Sequence, residues 1–268
     1  MVERYRRGGS RRKLLGNHQK CWIWGRNVVT ETLIAGRWTI HELHLADSLA
    51  ERELSDLVAL AKKRNVQVQV ESAEKLKQLC RSGEHQGMIA KMAPFPYHDW
   101  VETLDNQPAC PLYVVLDSLQ DPFNLGAIIR SADVLGATAI ILGDQKQVGI
   151  TSQVARSSAG SVNHLPIVRV PNLSEALLEL KDRRVELVAA SEKSSTPLDQ
   201  HDFTVPTAFI IGNEGSGIQA DHLQLCNHHV RIPQSGQVGS LNAAVAAGIM
   251  FYEVARQRNA DSKKQIPG

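Results

Sequence analysis

Three short segments of this chain combine residue types able to do chemistry. The first is Asp121-Pro122-Phe123-Asn124-Leu125-Gly126, continuing to Arg130-Ser131-Ala132. At about 100° per residue, Leu125, Ile128, Ile129, Ala132 and Leu135 share one apolar face of a helix. Arg130 falls roughly opposite, beside Gly126 one turn earlier. A missing side chain there would let a ligand approach the backbone close to a fixed cation. Asn124 reads as the N-cap of this helix and Gly136 as its C-terminal stop. The second segment is Gly212-Asn213-Glu214-Gly215-Ser216-Gly217, and the third is Ser240-Leu241-Asn242, where Ser240 or Asn242 reads as a helix cap. Each also has a plain structural reading: a solvated arginine, a tight turn and a cap.

Glycine-rich loops between a strand and a helix commonly cradle phosphates. This one has no Lys and carries Glu214, which would repel a phosphate. It matches neither the dinucleotide fingerprint nor a Walker loop, so NAD and ATP are disfavoured. It suits a cofactor that lacks phosphates and carries positive charge. S-adenosylmethionine, with its sulfonium and ammonium groups, is such a molecule.

All three segments follow candidate strands. The apolar runs 112–116, 139–142, 187–190 and 208–211, with 230–232, read as five strands, and such runs suit parallel strands covered on both faces. Helical patterns fill 124–135, 151–160, 173–183 and 218–226, and a last helix runs from about 241 to 258. In open α/β sheets, ligands gather beyond the carboxyl ends of the strands, which is where the three segments stand. The last helix is apolar on nearly every side for three turns, so it must be buried within the domain or against a second subunit.

The first half is organised differently. Residues 21–93 alternate helices (27–33, 50–64, 73–79) and strands (40–45, 66–70, 88–92), the pattern of a small α/β/α domain. Pro94, Pro96, Pro108 and Pro111 bracket a polar stretch, read as a linker over 94–111. The remainder, 112–268, reads as a second domain. Residues 1–20 hold seven Arg and Lys residues against Glu3 alone, on a chain of 268 residues whose net charge is only +2. This basic flexible arm is either a solubilising tail or an RNA-contacting one, since clustered arginines displace counterions from phosphates. No run approaches the 18 apolar residues of a membrane span. The N-terminus lacks the apolar stretch of a secretory signal. Cys21, Cys80, Cys110 and Cys226 are scattered, which argues against zinc or a disulfide framework and fits a reducing cytoplasm.

In this order, the three segments resemble the three motifs of the SpoU (TrmH-type) RNA 2′-O-ribose methyltransferases of the SPOUT superfamily. Ser158-Ala159-Gly160-Ser161, running on to Leu165-Pro166, resembles a fourth family segment, with Asn163 standing where many members are acidic. Gly25-Arg26-Asn27-Val28-Val29 and His85-Gln86-Gly87-Met88-Ile89-Ala90 resemble the ends of the ribosomal-protein-like RNA-binding domain of the rRNA guanosine branch. The resemblance implies an α/β fold whose C-terminal parallel-sheet domain carries a deep trefoil knot, with a homodimer around the active site. It implies S-adenosylmethionine held by Gly212, Gly217, Ile232 and Leu241, and no metal. It implies catalytic positions at Asn124, Arg130, Glu214, Ser240 and Asn242, acting on RNA, with rRNA favoured over tRNA. Arg130 is the family's proposed base. Arginine is effectively always protonated, so fixing the 2′-hydroxyl or a neighbouring phosphate suits it better. His85 lies in the other domain and reads as structural or RNA-contacting. Two other classes compete: an RNA-binding protein that has lost catalysis, which the intact Asn124, Arg130 and Ser240–Asn242 oppose, and a nucleotide-dependent oxidoreductase, which the missing fingerprint opposes.

Overall fold

The computed structural model describes residues 22–237 and 239–264; the basic arm lies outside them. The N-terminal unit runs β1 (Trp22–Trp24), α1 (Arg26–Ala35), β2 (Ile40–Ala46), α2 (Glu51–Lys63), β3 (Gln67–Glu71), α3 (Ala73–Cys80) and β4 (Met88–Met92). Its sheet order is β1-β4-β2-β3, with β4 antiparallel to both neighbours and β3 parallel to β2. Helix α1 buries Val28, Val29, Thr32 and Leu33, then ends where Gly36, at φ 63°, turns left-handed. His85 is buried, and its Nδ1 accepts from the Gly87 amide at 3.1 Å, so it shapes the turn entering β4.

Segment 94–111 is tied down rather than free. It holds α4 (Trp100–Asp105), capped by Asp99, whose carboxylate accepts from the Glu102 amide. Leu104 in α4 is fully buried, and the His98 amide donates to the Ile167 carbonyl at 2.8 Å.

The C-terminal unit runs β5 (Leu112–Leu116), α5 (Pro122–Val134), β6 (Ala139–Gly143), α6 (Ser152–Ser157), β7 (Ile167–Val170), α7 (Leu173–Asp182), β8 (Glu186–Ala190), β9 (Thr207–Ile211), α8 (Ala220–Leu225), β10 (His228–Val230) and α9 (Ala243–Lys264). Its six strands are all parallel, in the order β10-β8-β9-β5-β6-β7. The apolar runs expected as strands are buried on both faces, β5, β6 and β9 throughout. Sequence reading missed β7, whose Arg169 breaks its apolar run and points to the exposed side. It also set the last strand two residues late: pairing with β8 stops at Val230, and Arg231 and Ile232 already belong to the following loop.

Strand β10 sits at the sheet edge, yet α9 packs on α5, which follows the central β5. Between Val230 at the sheet edge and Ala243 beside α5, the chain therefore passes from one side of β8 and β9 to the other. This is the course expected of a knotted chain. Among the described residues no helix is long and apolar enough to cross a membrane.

One apolar core runs through both units, from Ile23, Val29 and Leu33 to Val114, Ile129 and Val154. Polar contacts seal the junction. Asn163 Nδ2 donates to Thr32 Oγ1 at 3.0 Å, Arg156 pairs with Glu84 at 2.6 Å, and its guanidinium lies 4.4 Å from the Trp24 ring centroid.

Candidate active site

Helix α5 is capped three residues earlier than the sequence suggests. Asp121 is the N-cap, its carboxylate accepting from the Phe123 amide at 2.9 Å, and Pro122 occupies the first turn. Asn124, expected as the cap, instead lies inside the first turn with its side chain free for another task. It is only 9% exposed. Its Nδ2 donates to Glu214 Oε1 at 2.8 Å, and its Oδ1 accepts from Asn242 Nδ2 at 2.9 Å.

Backbone geometry orients this chain of bonds. Asn242 Oδ1 accepts from the Ala244 and Val245 amides, at 2.9 and 3.3 Å, and so caps α9. That turns its NH₂ toward Asn124 Oδ1, which in turn directs the Asn124 NH₂ to the carboxylate of Glu214, an acceptor only. One residue from each of the three segments is thereby joined into a single polarised relay.

The loop carrying Glu214 is a tight turn. The Asn213 and Gly217 backbones exchange two hydrogen bonds, at 3.0 and 2.9 Å. Asn213 Oδ1 accepts from the Gly215 and Ser216 amides, and its Nδ2 donates to the Ser118 carbonyl at 3.0 Å. Gly212 has no alternative here, because a Cβ would stand 2.2 Å from the Gly217 carbonyl carbon. Gly217 itself has φ +71°. Ile232 packs on the edge of the main core, and Leu241 is partly exposed.

Arg130 is exposed on α5, as the helical spacing implies. Ser240 is exposed as well, and the cap of α9 is Asn242. Among the described residues, no hydrogen bond or ion pair joins Arg130 or Ser240 to the relay. The reading of Gly126 as a ligand-approach point is overturned. Gly126 is buried, and a Cβ there would stand 1.8 Å from Ser157 Oγ and 2.8 Å from the Val154 carbonyl. Its missing side chain lets α6 lie against α5.

Sequence reasoning did not single out Asp117, Gln219 and His222. Asp117 is 1% exposed at the end of β5, and its carboxylate accepts from the Gln219 amide at 2.7 Å, Gln219 Nε2 at 2.6 Å and His222 Nδ1 at 2.9 Å. Burial alone would raise its pKa, but the bonds from His222 and Gln219 bring it below the ordinary carboxylate value. The available signal was its place just beyond a strand's carboxyl end.

Two polar clefts lie away from the relay. One, of about 480 Å³, is lined by Arg26, Asn27, Ser48, Leu49, Gln86 and Gly87, so it brings together both motifs of the N-terminal unit. The other, about 430 Å³, lies along β10 beside His201 and His228.

Comparison with known families matches residues 111–252 to the SpoU rRNA Methylase family. The chain belongs to that family of RNA methyltransferases. Residues 22–98 match a second family, RNA 2′-O ribose methyltransferase substrate binding. A protein named as a TrmH family tRNA/rRNA methyltransferase in Bacillus subtilis is 35% identical over 91% of this chain and 98% of its own length. Among solved structures, the SpoU methyltransferase AviRb of Streptomyces viridochromogenes, in complex with AdoMet, is 30% identical with a TM-score of 0.75, covering 89% of this chain and 90% of its own. An AdoMet-bound rRNA methyltransferase of Sinorhizobium meliloti is 28% identical with the same TM-score, covering 89% and 87%. A tRNA modifying enzyme of A. aeolicus is 30% identical, but it covers only 62% of this chain, with a TM-score of 0.53. The parallel α/β fold matches these methyltransferase structures.

Proposed function

We propose that this RNA methyltransferase transfers a methyl group from S-adenosylmethionine to a ribose 2′-hydroxyl of structured RNA, with rRNA as substrate. The observation that carries this reading is the relay Asn242–Asn124–Glu214, which unites the three strand-end segments at one place. The N-terminal unit favours rRNA. The rRNA enzyme of S. meliloti matches across both units, whereas the tRNA enzyme of A. aeolicus covers little more than half of the chain.

The residues present fit the cofactor. The loops 212–219 and 232–242 hold no Lys or Arg and one carboxylate, Glu214. At Gly217, Gly236 and Gly239 nothing lies within 4 Å of where a Cβ would stand, so their backbone is open to a ligand. Gly212 shapes this backbone, and Gly217, Ile232 and Leu241 would hold the cofactor through main chain and apolar edges. When bound, it supplies a methyl group activated by positive sulfur. The chain's own work is placement, which matters most for an in-line transfer. Asn124 and Asn242 hold Glu214 at a fixed position. Arg130, a permanent cation, fixes the 2′-hydroxyl or an adjacent phosphate and favours the oxygen as its proton passes to the substrate or to solvent. Asn242, as the cap of α9, orders the loop leading into it, and Ser240 stands exposed beside it toward the substrate.

The assembly in this reading is a homodimer. Val245 (52% exposed), Ile249 (38%) and Tyr252 (59%) follow helical spacing and form one bare apolar stripe on α9, whose other side buries Ala247, Met250 and Phe251. A second copy of the chain would cover it.

The deciding experiment maps ribose methylation in rRNA and tRNA from cells with and without the gene. A single 2′-O-methyl lost from rRNA is the expected result. A mark lost from tRNA instead, or no mark lost, refutes the substrate assignment.

A further inference from the structure

The loop proposed to face the cofactor is held at both ends by one residue. The Asp117 amide donates to the Ile211 carbonyl at 2.9 Å, just ahead of the loop, and the Asp117 carboxylate receives the Gln219 amide at 2.7 Å, just after it. The eight residues 212–219 thus close on a single anchor at the end of β5. Eight such residues would otherwise be costly to keep in one shape, since ordering each backbone unit gives up conformational entropy.

That anchor has little stiffness of its own. A carboxylate can turn about its last bond and be hydrated, and Asp117 is kept from doing either. His222, from α8, is itself only 8% exposed and donates its Nδ1–H to Oδ2 at 2.9 Å, the oxygen that also holds the Gln219 amide. Gln219 Nε2 and Ser118 Oγ, at 2.6 and 3.1 Å, occupy Oδ1. Both oxygens are therefore filled, by donors from Gln219 at the end of the loop, His222 of α8 and the neighbouring Ser118. His222 stands outside the relay Asn242–Asn124–Glu214.

We infer that His222 is a positioning residue. Through Asp117 it holds the loop Gly212–Gln219 in its cofactor-receiving shape, and so sets affinity for S-adenosylmethionine without entering the transfer step. This rests on the cofactor site proposed above.

The test uses the full chain and two substitutions. His222→Leu keeps the bulk and removes the donor; His222→Asn keeps a donor at the position of Nδ1. With His222→Leu, KM for S-adenosylmethionine rises about tenfold, the scale of one hydrogen bond to a charged group, while kcat stays within about twofold and the melting transition remains cooperative. His222→Asn restores most of the affinity, which a merely space-filling role would not predict. Hydrogen exchange supplies an arm that needs no cofactor. The Gln219 amide exchanges faster in His222→Leu, while β5 and β9 keep their protection. Unchanged exchange at Gln219, or faster exchange with unchanged KM, overturns the inference, as does a fall in kcat with KM intact. If the unaltered chain takes up no S-adenosylmethionine, the proposed cofactor site fails instead, and exchange at Gln219 alone decides whether His222 holds the loop.

Discussion

At the scale of residues, the site divides into three groups that hold one another and two, Arg130 and Ser240, that among the described residues are bonded to none of those three. Asn124, Glu214 and Asn242 hold one another, with the polarity of the whole chain set by two backbone amides at the start of α9. Arg130 is exposed and, among the described residues, bonded to none of them; in the proposed function it meets the 2′-hydroxyl or a neighbouring phosphate of the substrate. Arg130→Ala therefore keeps fold and cofactor affinity while losing about 10²-fold or more in methyl transfer, the scale of a positioned catalytic group. Arg130→Lys restores little, because an ammonium lacks the planar fork that holds two oxygens together. Single-turnover transfer of labelled methyl, beside a cofactor titration of the same preparation, reads both outcomes. Near-normal transfer by Arg130→Ala would place the catalytic centre elsewhere. Asn124→Asp is a sharper probe of the relay. It sets a carboxylate against Glu214 in place of a donor, at nearly the same volume, and about a tenfold loss of transfer is expected from the broken charged hydrogen bond. Full activity in that variant would show the relay to be dispensable.

At the scale of elements, close packing of two helices aims the first segment. Helix α6 lies so near α5 that Gly126 has no space for a methyl group. Gly126→Ala forces the pair apart or displaces Ser157, and overpacking of this kind costs about 1–3 kcal/mol. Chemical denaturation should show that loss as a lower midpoint with an unchanged slope. Because Asn124 stands half a turn from Gly126, methyl transfer should fall as well. A variant as stable as the parent would mean that Ser157 swings aside at no cost.

At the scale of the whole molecule, two features of the proposed reading can be tested against partners. The stripe Val245, Ile249 and Tyr252 on α9 awaits a second copy in the proposed homodimer. The double substitution Val245→Glu with Ile249→Glu should yield a folded monomer with little transfer activity, seen by sedimentation velocity and the same methyl assay. A dimer that survives it must use another face. The basic arm 1–20 is the other case. Deleting residues 1–13 should weaken RNA binding and reduce the log–log salt slope by roughly 0.7–0.9 for each phosphate that the shortened chain no longer neutralises. An unchanged slope would identify the arm as a solubilising tail.

The sequence by itself determined the kind of molecule. Two units, apolar parallel strands and three chemical segments beyond strand ends are all written in local pattern, because burial on both faces demands continuous apolar runs and each segment is contiguous. Gly136 was legible for the same reason, since a helix stop depends on one residue's backbone, here at φ 79°. Tertiary structure decided what each polar residue is for. Asn124 looks like a cap until Asp121 is seen to be one, and its real partners lie 90 and 118 positions away. Gly126 looks open until α6 is packed against it. Asp117 and His222 carried no local signal as a pair, because 105 residues separate them and only the ordering of β5 beside β9 brings them together. Hydrogen bonds between distant side chains leave no periodicity in a sequence, whereas the burial that makes strands and helices does.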